Sequence, residues 1–244
     1  MATYKLTLEY DGSAYAGWQR QPEQPTVQAA LEDVLHHLCH TDIAVIGAGR
    51  TDAGVHALGQ VASFRSDRAM TADQWTRALN ALLPTDISVR STEQVADDFN
   101  ARRWAQAKLY EYRILNRRGR SALERHRAWH IWGKLCIESM REGAAFLTGP
   151  HDFSSFEGPR AGTDKKVCNV RRLDIIHDGD ILTIQLEADR FLKQMVRAIV
   201  GTLVEVGQGK RLPPAMKDTL EAHDRRAAGY TAPPHGLYLV RVDY

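Results

Sequence analysis

The stretch of sequence with the clearest potential for chemistry is Gly47–Ala57, which reads GAGRTDAGVHA. Small residues surround Arg50, Thr51 and Asp52, and they allow tight turns and close approach by a ligand. An aspartate carboxylate in such a loop can act as a nucleophile or as a general base. The pattern therefore predicts a ligand-accessible loop with Asp52 as its candidate reactive group.

The same stretch does not match a phosphate-binding loop. No Gly-Lys-[Ser/Thr] follows the glycines, and Asp52 takes the place of the third glycine in a GxGxxG pattern. A carboxylate at that place would repel a phosphate group. An Asx-type turn that joins two strands is the structural alternative for this motif.

Hydrophobic periodicity predicts the elements that position this loop. Residues 26–40 place apolar side chains on one helical face, and Thr71–Gln74 forms a capping box that opens a second helix, which Pro84 stops. The predicted order in the first half is strand 3–10, helix 26–40, strand 42–46, strand 60–65, the helix after Thr71, and strand 86–95. This order is βαββαβ.

The second half of the chain repeats that order with one extra helix. The Asp178-Gly179 pair between two alternating runs indicates a β-hairpin. The predicted elements are strand 108–116, helix 136–147, strands 170–177 and 180–189, helix 191–206, a short helix after 213–214, and strand 236–242. The sequence thus predicts an α+β fold of two ferredoxin-like units, residues 1–105 and 106–244, with antiparallel sheets and a cleft between them.

Composition narrows the classes of protein that fit. The hydrophobic fraction of 43% and the charged fraction of 25% are typical of globular proteins. No run approaches the roughly 18 apolar residues of a membrane span, and the N-terminus lacks a signal-peptide pattern. Cys39, Cys136 and Cys168 give neither a disulfide framework nor a CxxC metal pair. We therefore expect a cytoplasmic protein without a membrane segment.

The net charge of +2 conceals two strongly basic segments. Residues 101–130 contain nine Lys and Arg against two Glu, and residues 158–172 contain five against one Asp. Clustered positive charge on a nearly neutral chain suits a polyanionic partner. A solvated basic surface is the alternative interpretation.

Several ordered motifs resemble those of the bacterial tRNA pseudouridine synthase A family. Gly49–Ala57 is similar to the family signature, whose Asp is catalytic. Further similar segments are Tyr10–Ser13, Gly17–Gln21, Asp98–Arg102, Lys108–Tyr112, Asp152–Phe156, Phe191–Arg197 and Gly236–Val240. The resemblance covers nearly the whole chain. It implies a homodimer that isomerises uridines in the tRNA anticodon stem-loop, at about positions 38–40, without a cofactor or metal.

The resemblance also implies roles for individual residues. Asp52 matches the catalytic Asp, and Arg50 matches the neighbouring Arg that holds the extruded nucleotide. Tyr110 matches the tyrosine that stacks on the target base, and Arg197 matches the basic residue that pairs with the catalytic Asp. Thr51 and His56, which lie in the same motif as Asp52, are candidate substrate-binding residues, and His56 could instead have a structural role. Lys193-Gln194 departs from the family pattern, in which aromatic or His residues are common.

The pattern alone leaves alternatives open for the residues of the second half. Tyr110 and Tyr112 should share one face of a strand, where both could be core aromatics. Arg190, Lys193 and Arg197 would form a basic stripe on the predicted helix 191–206, and Arg197 could be an ordinary surface charge.

Pseudouridine formation breaks the C1′–N1 bond of uridine and forms a C1′–C5 bond, so it is redox-neutral. The target base must leave its stack, and an aromatic ring such as Tyr110 can replace the lost stacking. Whether Asp52 attacks C1′ or C6, or removes a ribose proton, stays open.

A non-catalytic RNA-binding protein and a glycosidase are the two alternative classes of protein. A binding protein of two RRM-like units would require an RNP1-like aromatic run, and a glycosidase would need a second acid paired with Asp52. No such aromatic run is found on a central strand, and the main motif offers only Asp52.

Overall fold

A computed structural model describes residues 1–159 and 164–244. These residues form five α-helices and mostly antiparallel strands, which places the fold in the α+β class. The chain divides into two compact units, one of residues 1–106 with 238–244 and one of residues 107–237. Within the described residues, no helix has the length and apolar character needed to cross a bilayer.

The first unit is built on a sheet in which β1 lies between two antiparallel neighbours. The elements are β1 (Ala2–Tyr10), α1 (Val27–Cys39), β2 (Ile46–Gly47), β3 (His56–Ser66), α2 (Ala72–Leu82), β4 (Ile87–Val95) and, from the other end of the chain, β10 (Leu237–Asp243). The order across the sheet is β4-β1-β3-β10. The short β2 pairs antiparallel with β3, and β10 pairs with β3 in parallel through Tyr238 opposite His56.

Local sequence signals explain where the helices of this unit begin and end. The Thr26 side chain accepts a hydrogen bond from the Ala29 N–H and caps α1, whose buried face carries Val27, Leu31, Val34 and Leu35. Thr71 and Gln74 form the predicted capping box at the start of α2. Leu83 is extended because Pro84 follows it, and α2 ends there. These two predicted helices are confirmed.

The second unit contains a sheet in which β5, β9, β8 and β7 are successive neighbours. Its elements are β5 (Ala107–Asn116), β6 (Trp129–Ile131), α3 (Ile137–Ala145), β7 (Gly149–Asp152), β8 (Val167–Asp178), β9 (Ile181–Ala188), α4 (Met195–Gly207) and α5 (Ala215–Glu221). The predicted hairpin between β8 and β9 is confirmed, with Asp178 paired to Ile181. Gly179 adopts a φ of +58°, which suits its place in this tight turn.

Three sequence expectations differ from the observed elements. The predicted strand 42–46 is reduced to β2, because only Ile46 and Gly47 find partners on β3. The predicted helix 191–206 begins later, at Met195, because Gln194 takes a left-handed conformation with a φ of +59°. The last strand was expected in the second half, but residues 238–244 belong to the first unit, where β10 pairs with β3.

Candidate active site

Backbone hydrogen bonds fix the position of Asp52 in the loop between β2 and β3. The Thr51 carbonyl accepts a hydrogen bond from the Trp18 N–H at 3.0 Å, and the Asp52 carbonyl accepts one from the Val55 N–H at 3.2 Å. The Gly54 N–H donates to the Tyr15 carbonyl at 3.2 Å. The loop is therefore held on both sides of Asp52, whose side chain is half-buried.

A buried polar network lies beside this loop. The hydroxyl groups of Tyr10 and Thr51 are 2.8 Å apart, and the Gln60 side-chain amide donates to the Gly49 carbonyl at 2.9 Å. Burial raises the pKa of Tyr10 to about 12. Tyr10 on β1 and Gln60 on β3 thus hold the loop just before Asp52. Thr51 is expected to bind substrate, but its contacts are those of a residue that positions the loop.

Gly17 makes the close approach of the Trp18 segment to the loop possible. Its φ of +103° lies in the region that favours glycine, and a Cβ there would lie 2.6 Å from the Thr51 carbonyl oxygen. Any larger residue would therefore push against the backbone next to Asp52.

His56 is buried at the start of β3, with 3% of its surface exposed. Its Nδ1 accepts the Gly12 N–H at 3.1 Å, and its ring stacks on Tyr238 with 4.8 Å between centroids. Asp11 Oδ1 lies 3.2 Å from the same nitrogen. Because one ring nitrogen cannot accept from Gly12 and donate to Asp11 at once, we assign Nδ1 as the acceptor from the backbone amide, whose donor role is fixed. His56 therefore joins the Gly12 segment to the end of the loop.

Arg50 is exposed, as is Ala53 in the same motif. Arg50 lies two residues before Asp52 and is solvent-accessible, unlike Thr51 and His56. Of the substrate-binding residues expected within the motif, Arg50 is the one whose exposed side chain suits contact with a nucleotide or its phosphates.

The two tyrosines of β5 share one face of the strand, as expected, but have different surroundings. Tyr110 is 7% exposed and meets Phe191 edge-to-face with ring centroids 5.0 Å apart. Tyr112 is fully buried, and its hydroxyl donates to the Pro233 carbonyl at 2.8 Å. Burial raises the pKa of Tyr112 strongly, although the nearby Arg197 charge opposes this shift. Tyr112 is thus a core residue of the second unit.

Arg197 lies in the first turn of α4 and is half-buried. Its Nε donates to the Ala232 carbonyl at 2.8 Å, and its own carbonyl accepts the Ala232 N–H at 3.0 Å. A cation in the first turn of a helix is disfavoured by the helix dipole by about 0.3–1 kcal/mol. This unfavourable placement suggests that the guanidinium has a task other than stabilising the helix.

The predicted basic stripe on this helix is wrong. Arg190 and Lys193 precede Met195, where α4 begins, so they do not share a helical face with Arg197. The Lys193 ammonium instead donates to the Pro159 carbonyl at 3.0 Å. Of the three basic residues, Arg197 alone is on the helix.

The described part of the chain contains no group of three or more His, Cys, Asp or Glu side chains placed to hold a metal ion. His36, which the sequence spaces one helical turn from His40, has its Nδ1 3.0 Å from an Asp42 carboxylate oxygen.

Sequence reasoning missed the residues that support the Asp52 loop. Tyr10, Gly17 and Trp18 belong to motifs that resemble the family, but nothing in their local pattern indicates contact with Thr51, which follows them by 33 or more positions. A polar Gln60 within an otherwise apolar run on β3 is the one signal that could have indicated a buried network.

Comparison with known proteins agrees with these features. A family model described as tRNA pseudouridine synthase matches residues 7–102 and 144–244. The tRNA pseudouridine synthase A of Afipia carboxidovorans is 46% identical over 245 residues, covering 100% of both chains. That of Myxococcus xanthus is 45% identical and covers 100% of this chain and 92% of its own. The tRNA pseudouridine synthase A 2 of Clostridium perfringens is 40% identical, with 100% of both chains covered. The chain therefore belongs to the tRNA pseudouridine synthase A family, isomerases that convert uridine to pseudouridine in tRNA.

Proposed function

We propose that this enzyme isomerises uridines in the anticodon stem-loop of tRNA, at about positions 38–40, with Asp52 as the catalytic carboxylate. The observation that carries the proposal is the half-buried Asp52 in the motif Gly49–Ala57, on a loop whose backbone is hydrogen-bonded on both sides of it. A fixed catalytic group needs no reorganisation when the reaction begins, and correct geometry alone can contribute several kcal/mol to catalysis, about 7–11 in favourable cases.

The reaction requires little beyond a carboxylate, a bound base and a route for one proton. The C1′–N1 bond breaks, uracil turns, C5 bonds to C1′, and the C5 proton leaves while N1 gains one. The atoms and electrons balance without an oxidant or a phosphoryl donor. A carboxylate can open this sequence by attacking C1′ or C6, or by removing a ribose proton.

The other candidate residues receive supporting roles in this proposal. Tyr110 stacks on the extruded base, and Arg197 supplies the positive charge that the family pattern associates with the catalytic carboxylate. Arg50 binds the nucleotide, whereas the buried Thr51 and His56 position the loop. Stacking of a base on an aromatic ring is worth about 1–3 kcal/mol. The predicted order of elements leads us to propose two ferredoxin-like units per chain. The family pattern leads us to propose a homodimer, and light scattering after size-exclusion chromatography tests that oligomeric state.

Release of tritium from tRNA labelled at uridine C5 measures the reaction directly. Asp52→Asn keeps the size of the side chain and should abolish release while tRNA binding persists. Asp67→Asn is the matched control, because Asp67 is an exposed aspartate on the same unit. Turnover by Asp52→Asn within tenfold of the control would remove Asp52 from the catalytic role.

The position of the modified uridine needs a separate measurement. Primer extension after carbodiimide treatment reports each pseudouridine as a stop on the tRNA. Stops confined to the anticodon stem-loop support the proposal, and stops only in another arm would contradict its site while leaving the isomerase activity intact.

A further inference from the structure

Residues 117–128, between β5 and β6, form a basic arm. The arm carries five arginines and one glutamate within twelve residues. It lies outside the residues that the family model matches, which are 7–102 and 144–244. The arm is therefore a feature whose task the family match does not assign.

The base of the arm is closed by hydrogen bonds. The Asn116 side-chain amide donates to the carbonyls of Ile131 and Gly133 at 3.0 and 2.6 Å. The His130 Nε2 lies 2.9 Å from the Arg117 carbonyl, and β6 pairs with β5 in parallel at this point. The two ends of the arm are thus held side by side.

The arm is also ordered within itself. The Ser121 hydroxyl accepts the N–H groups of Leu123 and Glu124, both at 3.2 Å. Arg117 donates to the Gly119 and Arg120 carbonyls and forms an ion pair with Asp180 at 3.1 Å. Arg117 therefore stabilises the arm and is not available as a free charge.

Arg118 and Arg120 remain exposed on this ordered arm. In the described part of the chain, neither guanidinium makes an ion pair or a hydrogen bond. Trp132, one residue beyond β6, is 69% exposed beside the base of the arm. Two unpaired guanidiniums on a hydrogen-bonded arm, together with an exposed aromatic ring at the base of that arm, match the chemistry of a nucleic-acid surface.

We propose that the basic arm binds phosphates of tRNA outside the anticodon stem-loop and so adds affinity for the full-length molecule. This proposal rests on the proposed function, which assigns the anticodon stem-loop as the site of modification. Guanidiniums suit phosphate because their planar donors match its oxygens. Because such contacts release counterions, they contribute affinity that falls with salt and carries no base preference.

Binding to two RNAs tests this inference. Fluorescence anisotropy would measure the Kd of the full enzyme for full-length tRNA and for an isolated anticodon stem-loop across a salt series. Arg118→Gln/Arg120→Gln should raise the Kd for full-length tRNA roughly 3- to 30-fold, because it removes two solvent-exposed contacts with phosphate. It should lower the salt slope by about 1.5 and leave the Kd for the stem-loop unchanged.

Two control variants make the result specific. Lys210→Gln/Lys217→Gln removes the same charge from exposed positions of the same unit and should leave both Kd values unchanged. Arg118→Lys/Arg120→Lys should restore most of the salt slope, because the term is electrostatic.

Equal weakening for both RNAs, no weakening for either, or a change of oligomeric state in Arg118→Gln/Arg120→Gln would overturn the proposal. The last result would assign the arm to contact with a second copy of the chain. Since binding is measured without turnover, failure of the proposed modification site would show separately, in the primer-extension assay.

Discussion

Gly17→Ala tests whether the exact position of the Asp52 backbone limits catalysis. A Cβ on Gly17 would lie 2.6 Å from the Thr51 carbonyl oxygen and 3.1 Å from the Asp52 carbonyl carbon. Ordinary contact begins at 3.4 Å, so moving from 2.6 to 3.4 Å requires a displacement of about 0.8 Å. The loop must take part of that displacement, because the Trp18 N–H ties the Gly17 segment to the same oxygen.

A misplacement of about 1 Å in a catalytic group can cost roughly 100-fold in rate. We therefore expect Gly17→Ala to lower the single-turnover rate of tritium release on the order of 10- to 100-fold. The affinity for tRNA should change little, since Gly17 is buried. Alanine at a positive φ also costs about 1–2 kcal/mol of stability, so the folded fraction must be measured by denaturant titration.

Gly209→Ala separates backbone strain from displacement of the loop. Gly209 has a φ of +72°, and no described atom lies within 4 Å of the Cβ that would be added. Gly209→Ala should lose the stability that an alanine at a positive φ costs. It should keep the full rate of tritium release per folded molecule. If Gly17→Ala turns over as fast as Gly209→Ala, the position of the Thr51–Asp52 backbone does not limit the reaction.

Three further predictions concern the second unit and the cofactor requirement. Tyr110→Phe should leave the Kd for tRNA nearly unchanged, because the ring still stacks; a stalled step after attack would show that its hydroxyl moves the C5 proton. Arg197→Met keeps much of the aliphatic packing but removes the charge, so kcat should fall at least 100-fold while tRNA binding persists; an unchanged kcat would refute the assigned role. Activity should survive exhaustive EDTA treatment, and loss restored specifically by Zn²⁺ would contradict this.

Local sequence signals were sufficient to predict the elements that are determined by neighbouring residues. Helix α1 follows from the spacing of its apolar residues and the Thr26 cap, and α2 follows from the Thr71–Gln74 capping box. The β8–β9 hairpin follows from a glycine that accepts a positive φ. Each of these features is decided within a few residues, so no knowledge of the rest of the chain is needed.

The start of α4 shows where periodicity fails. Leu192 is buried like the helical Met195 and Val196, so the apolar pattern continues upstream without a break. Periodicity reports which side chains are buried, whereas a helix begins where backbone hydrogen bonding begins. The left-handed Gln194 separates the two, and no local residue signal marks it.

Strand pairing between distant segments was the other feature that the sequence did not predict. Ile43 and Val45 are buried as an alternating strand pattern requires, yet β2 contains only Ile46 and Gly47. The final strand joins the first unit because Tyr238 and Leu239 pair with β3, about 180 positions earlier in the chain. The order of elements in a sequence does not determine which sheet a last strand completes.

The candidate site depends both on a local motif and on contacts with distant segments. The motif Gly49–Ala57 supplies the carboxylate, and its resemblance to a family signature was enough to single out Asp52. The geometry of the motif, however, depends on residues outside it. The Tyr10 hydroxyl is hydrogen-bonded to the Thr51 hydroxyl, and the Trp18 N–H donates to the Thr51 carbonyl. A nine-residue motif transplanted without these partners would keep the reactive group but lose its fixed position. Substitutions at Tyr10 or Gly17 should therefore impair turnover although neither residue need touch the RNA.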